Sequence, residues 1–306
     1  MNTMQFNTKL SGEYRLVITS NNGEVKDTGW FSNLILNQGL DKLGNATDIP
    51  FKYASIGTGT SAPIITQTSL DAPVAYSNSY VFVSAVNAGS PSYATTLTWS
   101  YTFTQGAVIG NMTEIGVGIT ASNGNLFSRA LILDSGSNPT TITLTAIDQL
   151  TIYYRLTVRP PLTDGTGSII LDSNTYNYTS RVLGANTFAD LSRTFEFGFF
   201  HLIFRSYTYA AGATLAPITA TSPVGTNTAI NNGTVNTLGY TVGNYYIDWN
   251  TQWSPLQVNE TGGIQAIKIT AGSDLETISF QIVFNQPIPK TNVTSLSLTF
   301  RYSWSR

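Results

Sequence analysis

His201 is the only histidine in the chain, so any chemistry that needs an imidazole depends on it. It lies in the apolar run 199–204, where strand periodicity puts it on the same side as Phe199 and Ile203. A Ser-His-Asp triad would have to use this histidine, and no Gly-X-Ser-X-Gly motif supplies its nucleophile. We therefore interpret His201 as a structural strand residue with a hydrogen-bonded ring.

The chain also offers few ligands to a metal ion. It has no cysteine, and a zinc site needs three or four ligands that are mostly nitrogen or sulfur. Calcium accepts oxygen ligands, and Asp172, Asp190 and Asp274 lie near turn residues, but no Asp-X-Asp-X-Asp loop is present. Two of the 17 acidic residues could serve a glycosidase, although sequence does not give their separation. We expect no catalytic, cofactor-binding or metal-binding residue, and so a protein that is not an enzyme.

One glycine-rich loop, residues 57–63, invites a comparison with phosphate-binding loops. Its sequence is Gly-Thr-Gly-Thr-Ser-Ala-Pro. A nucleotide-binding loop needs a lysine within it and a helix after it, and neither is indicated here. We interpret the loop as a turn, and we expect its exposed Thr58 and Thr60 to contact a partner.

The composition narrows the classes of partner. Charged residues make up only 10% of the chain and the net charge is −2, so no basic field is available to hold nucleic acid. No apolar run approaches the about 18 residues that a membrane helix needs, and the N-terminus has no apolar signal-peptide core. A surface built from Ser, Thr, Asn, Gln and Gly is typical of β-proteins in rigid assemblies and of extracellular adhesins. We expect no membrane insertion.

The elements that must carry these residues are predicted to be strands. Residues 150–158 alternate apolar and polar side chains, and residues 296–304 repeat the pattern, with Arg155 and Arg301 in equivalent positions. Trp99 and Trp249 correspond at an offset of 150 residues. We predict an all-β protein with two antiparallel β-sandwich-like domains of the jelly-roll or immunoglobulin-like kind. An internal duplication would divide the chain into an N-terminal domain, 1–160, and a C-terminal domain, 161–306.

A single short helix is predicted near residues 33–43. Ser32 or Asn33 would cap it, its leucines would face the core, and Gly44 would end it. Gly39 weakens this helix by roughly 1 kcal/mol relative to alanine.

Aromatic residues in the second half suggest surface contacts. Residues 212–243 carry almost no charge and are rich in Ala, Thr, Asn and Gly, which predicts a long exposed excursion. The aromatics that we consider for a sugar-stacking platform are Tyr207, Tyr209, Tyr240, Tyr245, Tyr246 and Trp249. Sheets also bury aromatics, so core or interface packing is the alternative for the same side chains.

Several short motifs in the first half occur in an order that resembles a module of tailed-bacteriophage virion proteins. They are Trp-Phe-Ser-Asn-Leu-Ile-Leu-Asn-Gln-Gly-Leu at 30–40, the 57–63 loop preceded by Ser-Ile, Thr-Glu-Ile-Gly at 113–116 and Leu-Phe-Ser-Arg-Ala-Leu at 126–131. The resemblance covers residues 12–158. It implies a non-enzymatic structural β-module near the tail, fibre or capsid surface. The second half lacks the 57–63 loop sequence and the Phe-Ser-Arg triplet, so it is assigned by the internal repeat alone.

From this resemblance we expect a virion component that is made in the host cytoplasm. Its partners would be further copies of itself and other virion proteins, with a host surface glycan as an additional candidate. The predicted interface residues are Thr58, Thr60, Tyr207, Tyr209, Tyr240, Tyr245 and Trp304. The alternative is a receptor-binding fibre protein that recognises carbohydrate. A glycan-degrading spike is a third hypothesis, but the repeats of a β-helix are missing.

Overall fold

The computed structural model describes residues 3–45, 49–88, 93–121, 124–183, 203–227, 233–273 and 276–306, and these residues form an almost entirely β structure. Along the N-terminal half the elements are β1 (Thr3–Ser20), β2 (Val25–Asp27), β3 (Phe31–Ser32), β4 (Leu34–Ile35), α1 (Asn37–Asn45), β5 (Tyr53–Gly57), β6 (Pro73–Ser77), β7 (Tyr80–Ala88), β8 (Ala94–Thr102), β9 (Gly110–Met112), β10 (Glu114–Gly118), β11 (Leu126–Leu131), β12 (Ile142–Leu144) and β13 (Asp148–Arg159). The C-terminal half contains β14 (Gly165–Leu171), β15 (Asn174–Leu183), β16 (Ile203–Ala210), β17 (Thr234–Thr237), β18 (Tyr246–Trp253), β19 (Ile264–Ser273), β20 (Glu276–Ile288) and β21 (Leu296–Ser305).

These strands form a large sheet that runs through both halves of the chain and two smaller sheets that pack on it. The large sheet has the order β17-β18-β21-β1-β13-β8-β7, with β2 and β3 paired to β1. One five-stranded sheet has the order β4-β11-β10-β5-β6, and the other has the order β14-β15-β20-β19-β16. A two-stranded ribbon joins β12 and β9. The predicted all-β, sandwich-like class is confirmed.

The alternating patterns predict the buried faces correctly. In β13 the side chains of Leu150, Ile152 and Tyr154 are buried, while the residues between them are partly exposed. In β21 the side chains of Leu298 and Phe300 are buried in the same way. Each strand therefore turns one face to the core, as a period of two requires.

Residues that the predicted repeat aligns form cross-strand aromatic pairs in both halves of the chain. Tyr154 lies opposite Trp99 in the β13–β8 pair, and Phe300 lies opposite Trp249 in the β21–β18 pair. The internal duplication itself stays a prediction.

The two arginines that align in the predicted repeat make similar contacts, each with a carboxylate on a neighbouring strand and with an aromatic ring. The Nε of Arg155 donates to the carboxylate of Glu13 at 2.6 Å, and its guanidinium lies 4.2 Å from the centre of the Trp30 ring. The Nε of Arg301 donates to Asp248 at 2.7 Å, and its guanidinium lies 3.5 Å from the centre of the Tyr246 ring. Each arginine thus bridges a neighbouring strand and covers an aromatic ring on the outer face of the large sheet.

Strand β1 belongs to both halves. Its residues Lys9–Ser20 pair antiparallel with β13, and its residues Thr3–Lys9 pair parallel with β21. One hydrophobic cluster extends accordingly from Tyr154 in the first half to Phe300 in the second. The division at residue 160 stays a prediction, but the first residues of the chain extend the sheet of the C-terminal half.

The helix begins later than predicted. Leu34 and Ile35 form β4, which pairs with Arg129 and Ser128 of β11, so the segment 33–36 is strand and loop instead of helix. Helix α1 starts at Asn37 and continues to Asn45, one residue beyond the predicted end at Gly44. The backbone N–H of Leu36 donates to the carbonyl of Phe127 at 2.9 Å, so the pairing with β11 continues up to the start of the helix.

Candidate functional site

A fully buried ion pair lies between two neighbouring strands of the first five-stranded sheet. Glu114 begins β10, and Arg129 lies on β11; both side chains have no exposed surface. The Nη2 and Nε of Arg129 donate to the same glutamate oxygen, Oε2, at 2.8 and 3.1 Å. Buried ions of opposite charge need this proximity because each loses its hydration on burial.

The Glu114 carboxylate also holds the glycine-rich loop. Its Oε1 accepts the backbone N–H of Gly59 at 2.9 Å and that of Ala72 at 2.7 Å. Its Oε2 accepts the backbone N–H of Asp71 at 3.0 Å. One side chain therefore ties together the two ends of the segment 57–72. The carboxylate acts here as an acceptor for backbone donors, and those donors are satisfied without water.

Arg129 completes the cluster from the other side. Its Nη1 donates to the side-chain oxygen of Gln67 at 2.7 Å, and its Nη2 donates to Asp71 at 2.7 Å. The hydroxyl of Ser61 donates to the same Asp71 carboxylate. This hydroxyl, together with the nearby guanidinium, lowers the pKa of Asp71 below its ordinary value. The buried guanidinium thus links Glu114 of β10 to Gln67 and Asp71 of the segment 57–72.

The glycines of the loop are explained by this close packing. A Cβ atom on Gly57 would lie 2.4 Å from the carbonyl oxygen of Ala72, and one on Gly59 would lie 2.4 Å from Oε1 of Glu114. Both positions have room for a hydrogen atom only. Their role is the close approach of backbone to a carboxylate, which agrees with our interpretation of the loop as a turn.

Three of the motifs that carry the phage resemblance meet at this point. The 57–63 loop, the 113–116 motif and the 126–131 motif contribute Gly59, Glu114 and Arg129 respectively. Thr113 adds a further bond, because its hydroxyl donates to the carbonyl of Gly59 at 2.7 Å. We call this set the loop-anchoring cluster: Ser61, Gln67, Asp71, Glu114 and Arg129. Sequence reasoning found the motifs but missed that Glu114 and Arg129 are partners.

The cluster presents two of the predicted interface residues to solvent. Thr58 and Thr60 are exposed, whereas the alternating Gly57 and Gly59 are buried. Ile64 and Ile65 follow in the same segment and are 57% and 41% exposed. The arrangement is a fixed surface above a buried ion pair, to which Thr58, Thr60, Ile64 and Ile65 contribute no charge.

Two predicted interface residues lie inside the chain instead. Trp304 is 2% exposed, and its Nε1 donates to the carbonyl of Leu40 in α1 at 2.9 Å. Tyr209 is 4% exposed and packs with Ala213 and Ala266. Their aromatic area is used for packing within the chain, so neither is offered to a partner by the folded chain.

Tyr240 and Tyr245 join the contact between Trp304 and the helix. The ring of Tyr240 stacks on Trp304 with centroids 5.9 Å apart, and its hydroxyl donates to Asp41 at 2.6 Å. The carbonyl of Tyr245 accepts the backbone N–H of Trp304 at 3.0 Å. The last part of the 212–243 segment is therefore docked on α1 through Tyr240, while most of its described residues are exposed, as the predicted excursion requires.

The remaining aromatic candidates are dispersed. Trp249 is fully buried and stacks on Phe204 with ring centroids 3.9 Å apart. Tyr246 is covered by Arg301. Tyr207 is partly exposed on β16, beside Lys268. In the described residues these side chains do not share one surface on which a sugar ring could stack.

A second buried charge, Lys290, has no signal in the sequence. It is 6% exposed, and its Nζ donates to the carbonyls of Ser254, Pro255 and Thr291 and to the side-chain oxygen of Asn259, at 3.0–3.2 Å. Burial lowers its pKa. The lysine fastens the 254–259 loop to the segment before β21.

Some candidates for chemistry lie outside the described residues, namely His201, Asp190 and Asp274. Within the described ranges, no group of three or more His, Cys, Asp or Glu side chains could hold a metal ion. Over the same ranges no helix has both the length and the apolar character needed to cross a membrane. Comparisons of this chain with protein-family models, with curated proteins and with solved structures found no match.

Proposed function

We propose that this chain is a non-enzymatic structural component of a tailed-phage virion. It assembles with copies of itself and with capsid or tail proteins through sheet surfaces and loops. The observation that supports this proposal is the loop-anchoring cluster. Motifs that are far apart in sequence, and that resemble a phage virion module, contribute to one buried ion pair that fixes an exposed loop.

A fixed loop suits an assembly contact for a thermodynamic reason. Ordering a flexible loop on binding costs conformational entropy, and a loop that is already held by Glu114 and Arg129 avoids most of that cost. The loop and the strands around it carry few charges, so little charge has to be desolvated when a neighbour packs on them.

The proposal is tested by finding the chain in particles. Virions of the phage that encodes it are purified, the chain is quantified by mass spectrometry against the major capsid protein, and an antibody against it is imaged on intact particles. We expect a fixed stoichiometry and labelling at one structural position. Absence of the chain from particles that contain a full genome would overturn the proposal.

The loop surface is tested by complementation of a phage that lacks the gene. Thr58→Lys with Thr60→Lys puts two charges on the exposed loop and is expected to lower incorporation into particles by about tenfold or more, a change of at least about 1.4 kcal/mol in the contact. The matched control is Thr163→Lys with Thr261→Lys, two exposed threonines of the C-terminal half. Equal incorporation of both variants would exclude the 57–63 loop as a contact.

The receptor-binding alternative is addressed by a glycan array with the purified chain. The dispersed aromatics give it no common stacking surface in the described residues. Specific, saturable binding of one glycan by a chain that is absent from the body of the particle would favour the fibre protein over the structural component.

A further inference from the structure

A long part of the N-terminal half carries no charge at all. From Ala72 to Thr113 the sequence contains no Asp, Glu, Lys, Arg or His. This segment forms β6, β7, β8 and β9. Soluble β-proteins usually place charges or proline on their outer strands, because an open strand edge can pair with another chain. An outer strand within this uncharged segment therefore lacks the usual charged protection against pairing with another chain.

Strand β7 is the outer strand at one end of the large sheet. In the part of the chain that the structure describes, β8 is the only strand paired with it. Its inward side chains Tyr80 and Phe82 pack against the core. On its other face Val81, Val83 and Val86 are 61%, 49% and 58% exposed. Among the described residues, the edge of β7 away from β8 is thus bordered by three exposed valines.

The other outer strands of the described sheets are shorter or carry charge nearby. β17 has four residues and β4 has two, whereas β7 has nine. β16 contains Arg205, and β14 lies between Asp164 and Asp172. Strand β7 has only one protective feature, a bulge between Phe82 and Ser84. It is the longest outer strand and the one with the fewest obstacles to pairing.

We propose that β7 pairs antiparallel with β7 of a second copy of this chain, so that the large sheet continues across a twofold axis. An antiparallel pair of identical strands satisfies twofold symmetry, because each residue contacts the same partner in both copies. A strand without charge meets its own copy without placing like charges opposite each other. A charged partner would find no complementary group on it. This contact rests on the self-assembly in the proposed function and assigns it a surface.

The absence of cysteine makes a direct test possible. Single variants Val81→Cys, Val83→Cys and Val86→Cys are oxidised under mild conditions, and disulfide-linked dimers are quantified on gels. In an antiparallel twofold pair only residues next to the axis face their own copies at the Cα separation that a disulfide allows. We expect one of the three β7 variants to form disulfide-linked dimers about tenfold faster than the slowest of the three. The same variant should also exceed Val293→Cys by about tenfold; Val293 is 80% exposed in the other half and serves as the control.

A second measurement uses the mass of the chain in solution. The unmodified chain is expected to be a dimer by light scattering, and Val81→Lys with Val83→Lys is expected to be a folded monomer by light scattering and circular dichroism. Val242→Lys with Val293→Lys, two exposed valines elsewhere, is expected to remain a dimer. If the lysine variant does not fold, the cysteine series decides by itself. A monomeric parent chain, or equal cross-linking at all four positions, would overturn the β7 contact.

The outcomes also separate this contact from the proposed function. A chain that is present in particles but shows no β7 cross-linking would leave the virion role standing and remove this surface. A chain that dimerises through β7 but is absent from particles would support the β7 contact and overturn the virion role.

Discussion

At the scale of single residues, the buried pair of Glu114 and Arg129 differs from the other ion pairs of the chain. Arg15 and Asp27 also form a close pair, but each side chain is 37% exposed. Water screens such a pair, and it contributes little to stability. Glu114 and Arg129 have no exposed surface, so each depends on the other to offset the loss of hydration. Removing Arg129 leaves the Glu114 carboxylate buried without a counter-ion.

Arg129→Met therefore has a large expected cost. The substitution keeps a long apolar stem but leaves the Glu114 carboxylate buried without its cation. We expect the free energy of unfolding to fall by about 3–5 kcal/mol in urea denaturation. Arg15→Met is the control and is expected to cost less than about 1 kcal/mol. Similar, small losses for both variants would show that the buried pair does not hold the loop.

At the scale of elements, helix α1 is too short to be stable by itself. It has nine residues, and isolated helices of this length are marginal in water. Its buried residues Leu40 and Leu43 pack into the main core. Trp304 and Tyr240 hold it from the C-terminal half. Gly39 lets the helix approach β11, since a Cβ atom there would lie 2.1 Å from the carbonyl oxygen of Phe127.

Gly39→Ala is consequently expected to reverse the usual sign of a glycine-to-alanine change in a helix. In an unobstructed helix, alanine is better by about 0.8–1 kcal/mol. Here the methyl group must displace the backbone of β11, so we expect a net loss of about 1–3 kcal/mol in thermal or urea unfolding. The control is Gly239→Ala, where a Cβ atom meets nothing within 4 Å, and it is expected to be nearly neutral. A stabilised Gly39→Ala variant would contradict the observed packing.

At the scale of the whole molecule, β1 connects the two halves more closely than a linker would. The same strand pairs with β13 on the N-terminal side and with β21 on the C-terminal side. Phe6, in the part that pairs with β21, contacts Phe280 with ring centroids 4.5 Å apart and lies 6.5 Å from Trp249. The first residues of the chain thus help to form the hydrophobic core of the C-terminal half.

We expect both halves to unfold together. Phe6→Ala removes a ring that is only 4% exposed and should lower the free energy of unfolding by about 3–5 kcal/mol. Hydrogen exchange in urea should show β13 and β21 losing protection at the same denaturant concentration. Val74→Ala, at a 46% exposed position, is the control and should change stability by no more than about 0.5 kcal/mol. Loss of protection in β21 while β13 stays protected would indicate two independent units.

Much of the architecture could be predicted from sequence because it follows from local patterns. A strand pattern that repeats every two residues shows which side chains share a face. The strands around Tyr154 and Phe300, and their buried sides, were therefore predictable. Arg155 and Arg301 could be aligned for the same reason. The position of α1 was less predictable, because Leu34 and Ile35 suit a helix or a strand, and pairing with β11 decided between them.

The sequence by itself determined the all-β class, the inward faces of the long strands and the motifs that form the loop-anchoring cluster. Only the tertiary structure decided which faces are covered. Alternation groups Glu114 with its neighbours two residues away, but it does not reveal that the segment 57–72 packs over that carboxylate. Nor does it reveal that β1 serves two halves, or that Trp304 is packed on α1. Periodicity is a property of one strand, whereas burial and pairing depend on segments far away in the chain, and the geometry that brings them together is set by the whole fold.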